Sequence, residues 1–183
     1  MSVEEYLSFE KTSDVRHEYV GGEIFALAGA SLRHAEIVGN IYYRLRDAAR
    51  ERGCQVVTND IKVQAAVDVI YYPDVVLTCD ASDRGPYVLR SPMLVVEVLS
   101  PSTDAIDPRE KMIHYRRIAS LLCYLIVHQD EQRIEQHWRD GTDDVWEFSP
   151  HLEGVPTEIK IPGLGTELTF GEVYEGISFE VGN

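Results

Sequence analysis

Met93-Leu94-Val95-Val96-Glu97-Val98-Leu99-Ser100 reads as one strand, apolar on both faces except for a single carboxylate. An ionised side chain withdrawn from water costs several kcal/mol unless it is paired, neutralised or bound to a metal. Glu97 therefore requires a partner. A second strand-like run, Val69-Ile70-Tyr71-Tyr72-Pro73-Asp74-Val75-Val76-Leu77, carries Asp74 in equally apolar company, 23 positions upstream. Two embedded carboxylates on neighbouring strands point to a divalent-metal site. In strand phase, Val95, Glu97 and Leu99 share one face and Leu94, Val96 and Val98 the other. Pro73 removes a backbone donor just before Asp74, marking an edge or distortion that lets the acid reach a groove. Such a site suits Mg²⁺ or Mn²⁺, held by Asp74, Glu97, a backbone carbonyl such as that of Val98, and water.

Working outward, the remaining punctuation predicts an α+β (α/β) sandwich with a mixed, mainly central sheet flanked by helices. A short helix is expected over Val3 to Phe9, then a hairpin turning at Gly21-Gly22. Ser31 is the predicted N-cap of a helix running to about Arg52, with His34, Val38, Ile41, Leu45 and Ala48 on one stripe and Gly53 as its stop. Strands follow at Gln55 to Val63, Val69 to Thr78 and Met93 to Ser100. Asp107-Pro108-Arg109-Glu110 has the form of a capped helix start, and that helix should run to about Ala119. Cys123 to His128 and Arg133 to Trp138 read as strands, and Asp144 to Phe148 as a hairpin partner across Asp140-Gly141. The C-terminal stretch is expected to add one or two edge strands and a short helix near Gly171 to Tyr174. No glycine-rich phosphate loop and no Gly-x-Ser-x-Gly elbow occurs.

At 183 residues and 44% hydrophobic content the chain suits one domain, residues 1–183, with its core at about 16–148. No stretch approaches the roughly 20 apolar residues of a membrane span, and the N-terminus lacks the pattern of a signal peptide, so a cytoplasmic protein without membrane attachment is expected. Cys54, Cys79 and Cys123 are odd in number and set among apolar neighbours, which favours reduced core thiols over disulfides or a zinc site. The net charge of −14 argues against a nucleic-acid partner. Its distribution weakens that objection: residues 1–23 contribute −4 and residues 130–183 contribute −10, leaving 24–129 balanced.

Tyr72-Pro73-Asp74, Val96-Glu97-Val98-Leu99-Ser100-Pro101-Ser102-Thr103 and Lys111 together resemble the Uma-two family of nucleases, within the PD-(D/E)XK restriction-endonuclease-like superfamily. The likeness extends from Glu4-Glu5-Tyr6-Leu7 through Glu18-Tyr19-Val20-Gly21-Gly22-Glu23 and His34 to Tyr124-Leu125-Ile126-Val127. It implies a restriction-endonuclease-like core and hydrolysis of DNA phosphodiesters by a metal-activated water. Asp74 and Glu97 would be metal ligands and a lysine would lie beside the water. Leu99 stands where the superfamily motif has that lysine, so the role must pass to another group or be lost; Lys111 in the following helix is the best candidate, which looks like the family's usual arrangement. The family pattern also gives Glu18 and His34 supporting roles, and restriction-like nucleases often act as homodimers.

Each assignment competes with a plainer one. Glu97 could pair with an arginine, Asp74 could be a post-proline turn residue, and Lys111 a solvated helix lysine beside Arg109, Arg116 and Arg117. A histidine on an apolar stripe, as at His34, is commonly a hydrogen-bonded core residue, and Glu18 a polar edge residue. Glu36, two positions from His34, should face solvent. His128 and His137 are assigned to structure, the hydroxyls of 100–103 to a turn, and the arginines of the long helix to a solvated surface. Besides the nuclease, a catalytically inactive nuclease-fold binding or assembly module fits the acidity and the displaced lysine. A small-molecule hydrolase has only the same acids behind it.

Overall fold

The apolar run around Glu97 occupies the middle of a sheet, with a strand on each side and side chains packed on both faces. The computed structural model describes residues 1–83, 85–99, 108–141, 145–152 and 158–179. Helix α1 (Val3–Glu10) starts in a capping box between Ser2 and Glu5. Strands β1 (His17–Val20) and β2 (Glu23–Ala26) form the expected hairpin, with Gly21 and Gly22 both at positive φ. Helix α2 (Leu32–Glu51) is capped by the Ser31 hydroxyl, which accepts from the His34 N–H, and Gly53 leaves it at φ +71°.

Then come β3 (Gln55–Thr58), β4 (Lys62–Ala66), β5 (Val69–Tyr71), β6 (Val75–Thr78), β7 (Val88–Leu89) and β8 (Leu94–Leu99). Helix α3 (Pro108–Tyr115), β9 (Cys123–His128), β10 (Arg133–Trp138), β11 (Glu147–Leu152), β12 (Ile159–Ile161), β13 (Thr166–Leu168) and α4 (Phe170–Val173) complete the described elements.

The mixed sheet flanked by helices is present as expected, and it is divided in two. One has the order β2-β1-β5-β4-β7 and the other β11-β10-β9-β8-β6-β3, with β12-β13 a separate hairpin instead of an addition to the main edge. The two predicted long strands, 55–63 and 69–78, are each broken in the middle. The chain leaves the six-stranded sheet after β3 through Asn59 and Asp60, both in the left-handed region (φ 46° and 53°). It returns through Tyr72-Pro73-Asp74. Asn and Asp tolerate that region better than other side chains, and Pro73 cannot donate to a ladder. The proline therefore marks a sheet-to-sheet crossing.

The six-stranded sheet is covered on both faces. Leu94, Val96 and Val98 of β8 pack with Leu125 and Val127 of β9 against Ile37, Ile41 and Leu45 of α2. Val95, with Tyr124 and Ile126, faces Met112 and Tyr115 of α3 and the five-stranded sheet. β8 and β9 run parallel, so the connection between them must cross over, and α3 lies within it.

Smaller differences have local causes. Helix α3 ends at Tyr115, not near Ala119, and its predicted cap at Asp107 lies outside the described residues, as do 100–103. The partner of β10 begins at Glu147, three residues later than expected. This register sets Phe148 beside His137 and His151 opposite Ile134, and it places Pro150 on an outer strand, where a proline is best tolerated. The cysteine reading needs correction. Cys54 and Cys79 form a disulfide, and only Cys123 is free. β3 and β6 pair with Gln55 opposite Thr78, so the next pair in that register is Cys54 and Cys79, a proximity invisible without the register. No helix among the described residues is long and apolar enough to cross a membrane.

Candidate active site

The register of β6 against β8 sets Val75 opposite Val96, so Asp74, one residue before β6, comes level with Glu97. The Asp74 N–H donates to Val96 O at 3.1 Å, and its carboxylate turns back to accept the Val98 N–H at 2.7 Å. The sheet crossing at Pro73 thus leaves Asp74 half-buried at the strand entrance, beside Glu97, which is buried within β8.

Helix α3 supplies the groups that meet Glu97. Lys111 and Tyr115 are one turn apart and share a face. The Lys111 ammonium lies 3.3 Å from both carboxylate oxygens of Glu97, and the Tyr115 hydroxyl donates to Glu97 Oε1 at 3.1 Å. From β1, Glu18 accepts from the same ammonium at 2.7 Å and from the Tyr72 N–H at 3.2 Å. From the first turn of α2, His34 Nε2 reaches Asp74 Oδ1 at 3.2 Å. All five side chains expected from the sequence therefore line one cavity of about 380 Å³, together with Val98, Arg16, Asn59, Asp60 and Tyr72. Glu36 is exposed, as expected.

The sequence reading missed Tyr115, although its spacing of four from Lys111 was the available signal. Tyr71 was missed as well. It packs 5.3 Å from the Lys111 ammonium, with its hydroxyl 2.6 Å from His114 Nδ1.

Electrostatics divide the groups clearly. Burial pushes the Glu97 carboxyl up to about 8; Lys111 opposes the shift, while the charges of Glu18 and Asp74 add to it. Burial would lower the Lys111 pKa, but Glu97 and Glu18 together outweigh it, so the group is raised and remains an ammonium. Burial, then Glu97, holds the Tyr115 hydroxyl well above its ordinary value, keeping it a donor.

No group of three His, Cys, Asp or Glu side chains among the described residues is arranged to hold a metal. Two carboxylates level with each other on one cavity, one of them resisting ionisation chiefly because it is buried, suit a hard divalent cation that keeps much of its own water.

The sequence profile of the Uma-two family, described as "Putative restriction endonuclease", matches residues 3–171. The chain belongs to this family. Two relatives from Synechocystis sp. (strain ATCC 27184 / PCC 6803 / Kazusa) are uncharacterised proteins. One, slr1290, is 32% identical over 181 residues, covering 98% of this chain and 94% of the relative. The other, sll1609, is 30% identical over 164 residues, covering 87% and 92%. A crystal structure described as "a putative nuclease belonging to DUF820", from Anabaena variabilis ATCC 29413, superposes with a TM-score of 0.77. It covers 94% of this chain and 97% of its own at 14% identity, a likeness of fold. The Uma-two chain thus has a restriction-endonuclease-like fold of mixed sheets flanked by helices.

Proposed function

We propose that this protein is a Mg²⁺- or Mn²⁺-dependent endonuclease that hydrolyses DNA phosphodiester bonds, with Asp74, Glu97 and Lys111 at its centre. The observation that supports this most is the convergence of Asp74, Glu97, Lys111 and Glu18, from four separate elements, on one cavity. Asp74, Glu97 and the carbonyl of Val98 would hold the ion. When bound, it would acidify water and offset the charge of a phosphodiester.

The chain's own groups then have distinct tasks. Lys111, kept positive by Glu97 and Glu18, stabilises charge building on the phosphate; it is a poor proton acceptor at neutral pH. Tyr115 fixes one oxygen of Glu97, and Glu18 fixes the ammonium from the opposite side. His34 and the Val98 N–H each orient one oxygen of Asp74. Restriction-like nucleases often act as homodimers that cut both strands of a duplex, so a homodimer belongs to the proposal.

The test is cleavage of plasmid DNA in Mn²⁺. The wild type should cut, and Asp74→Ala and Glu97→Gln, checked for intact folding, should lose on the order of 10²–10³-fold in rate. Binding of nucleic acid without cleavage under any divalent metal would favour the inactive binding module, in which Lys111 serves only to neutralise Glu18 and Glu97.

A further inference from the structure

Lys62, at the start of β4, is only 9% exposed, yet its ammonium forms no hydrogen bond or ion pair among the described residues. The ammonium lies over the ring of Tyr72, 4.9 Å from its centroid. The Lys62 stem is buried while the ammonium keeps contact with solvent, so an arriving anion can still meet it. The charged groups around it are Glu10, Arg16 and Asp60. Glu10 is already engaged by the Tyr72 hydroxyl and by His17. Asp60 forms an ion pair with Arg16, both side chains more than half exposed. An exposed pair of this kind contributes little and exchanges readily for a better partner.

The position of this group gives it meaning. Arg16, Asp60 and Tyr72 line the same cavity as Asp74, Glu97 and Lys111. Asp60 is held at the rim by a turn in which both it and Asn59 adopt the left-handed conformation, with the Asn59 N–H donating to Asp74 O. Arg16 lines this cavity and Lys62 lies over Tyr72, which also lines it, so both cations stand next to the candidate centre, and arginine offers a planar fork suited to phosphate.

We propose that Arg16 and Lys62 bind backbone phosphates flanking the scissile one, and that Asp60 occupies Arg16 in the free protein until a phosphate displaces it. This rests on the nuclease reading above. Lys62 contributes a cation not engaged in a hydrogen bond or ion pair among the described residues, Arg16 a directional contact, and Asp60 sets a threshold that weak anions do not overcome.

The experiment is fluorescence anisotropy of labelled duplex DNA of about 30 base pairs, single-stranded DNA and RNA, with Ca²⁺ present, from about 50 to 200 mM salt. Compared with wild type, Arg16→Gln and Lys62→Met should each bind more weakly and flatten the salt dependence by about 0.9 in log–log slope on duplex, or about 0.7 on a single strand. Methionine retains the buried stem of Lys62. Asp60→Asn, which tolerates the same backbone conformation, should bind severalfold more tightly. Opposite signs at two ends of one ion pair are not what loss of a structural contact gives. Unchanged slopes in a wild type that cleaves DNA would overturn this proposal alone. Lost slope in a protein that never cleaves would leave the phosphate contacts standing and overturn the nuclease reading. Absence of nucleic-acid binding by the wild type would overturn both.

Discussion

Glu97 is held by an ammonium, a phenol and the charge of two other carboxylates, and the balance among them decides what the centre can do. The carboxyl binds a proton more tightly in the folded chain than in the unfolded one, where its value is near 4.5. Folding therefore takes up a proton across the window from about 4.5 to about 8, and this group's contribution to stability is present at low pH and lost as pH rises through that window. Metal-free wild type should lose melting temperature between about pH 5 and pH 8.5 more steeply than Glu97→Gln; parallel curves would refute the shift. A cation at Asp74 and Glu97 must displace that proton, so Mn²⁺ affinity measured by calorimetry should rise with pH up to about 8 and then level off. Tyr115→Phe removes one donor from a carboxylate that has to ionise. It should weaken Mn²⁺ binding about tenfold, equivalent to ~1.4 kcal/mol, with little change in fold. Glu97 and Asp74 were legible in the sequence because a carboxylate in an apolar strand is a physical anomaly. Tyr115 was not, because a buried tyrosine on a helix needs no explanation until its hydroxyl is seen to reach Glu97.

At the scale of elements, the centre depends on the crossing between two sheets. The turn at Asn59-Asp60 and the break at Pro73 deliver β6 beside β8 in the register that brings Asp74 level with Glu97. The sequence showed the hairpin at Gly21-Gly22, the capped helix from Ser31 and the strand 123–128, because each is fixed by local chemistry. It hid the two breaks, since Gln55 to Val63 and Val69 to Thr78 keep strand composition on either side of them and the choice of sheet is made by tertiary packing. The same hidden register brings Cys54 and Cys79 together, joining the end of α2 to the end of β6. The bridge spans 25 residues, so the chain-entropy account assigns it roughly 3–4 kcal/mol. Reduction, or Cys79→Ser, should lower denaturation stability by an amount of that order. A loss below ~1 kcal/mol would show that the unfolded chain gains little freedom from opening it.

Across the whole molecule, charge is partitioned more than it is excessive. The acidic excess belongs to residues 1–23 and 130–183, while Asp74, Glu97 and Lys111 lie in the balanced middle segment. Acidic ends oppose the approach of a polyanion, and the cavity itself sets Arg16 and Lys111 against Glu18, Asp60, Asp74 and Glu97. Long-range steering toward nucleic acid is then weak, and binding should rest on close contacts that need the metal. The most direct measurement is calorimetric titration of Mn²⁺ into wild type and Glu97→Gln, both folded, followed by cleavage of plasmid DNA under the same metal. Binding and cleavage in wild type, both lost in Glu97→Gln, is the predicted result. Cleavage that persists in Glu97→Gln, or a wild type that neither binds Mn²⁺ nor cuts nucleic acid, would contradict a metal-dependent nuclease centred on Asp74 and Glu97.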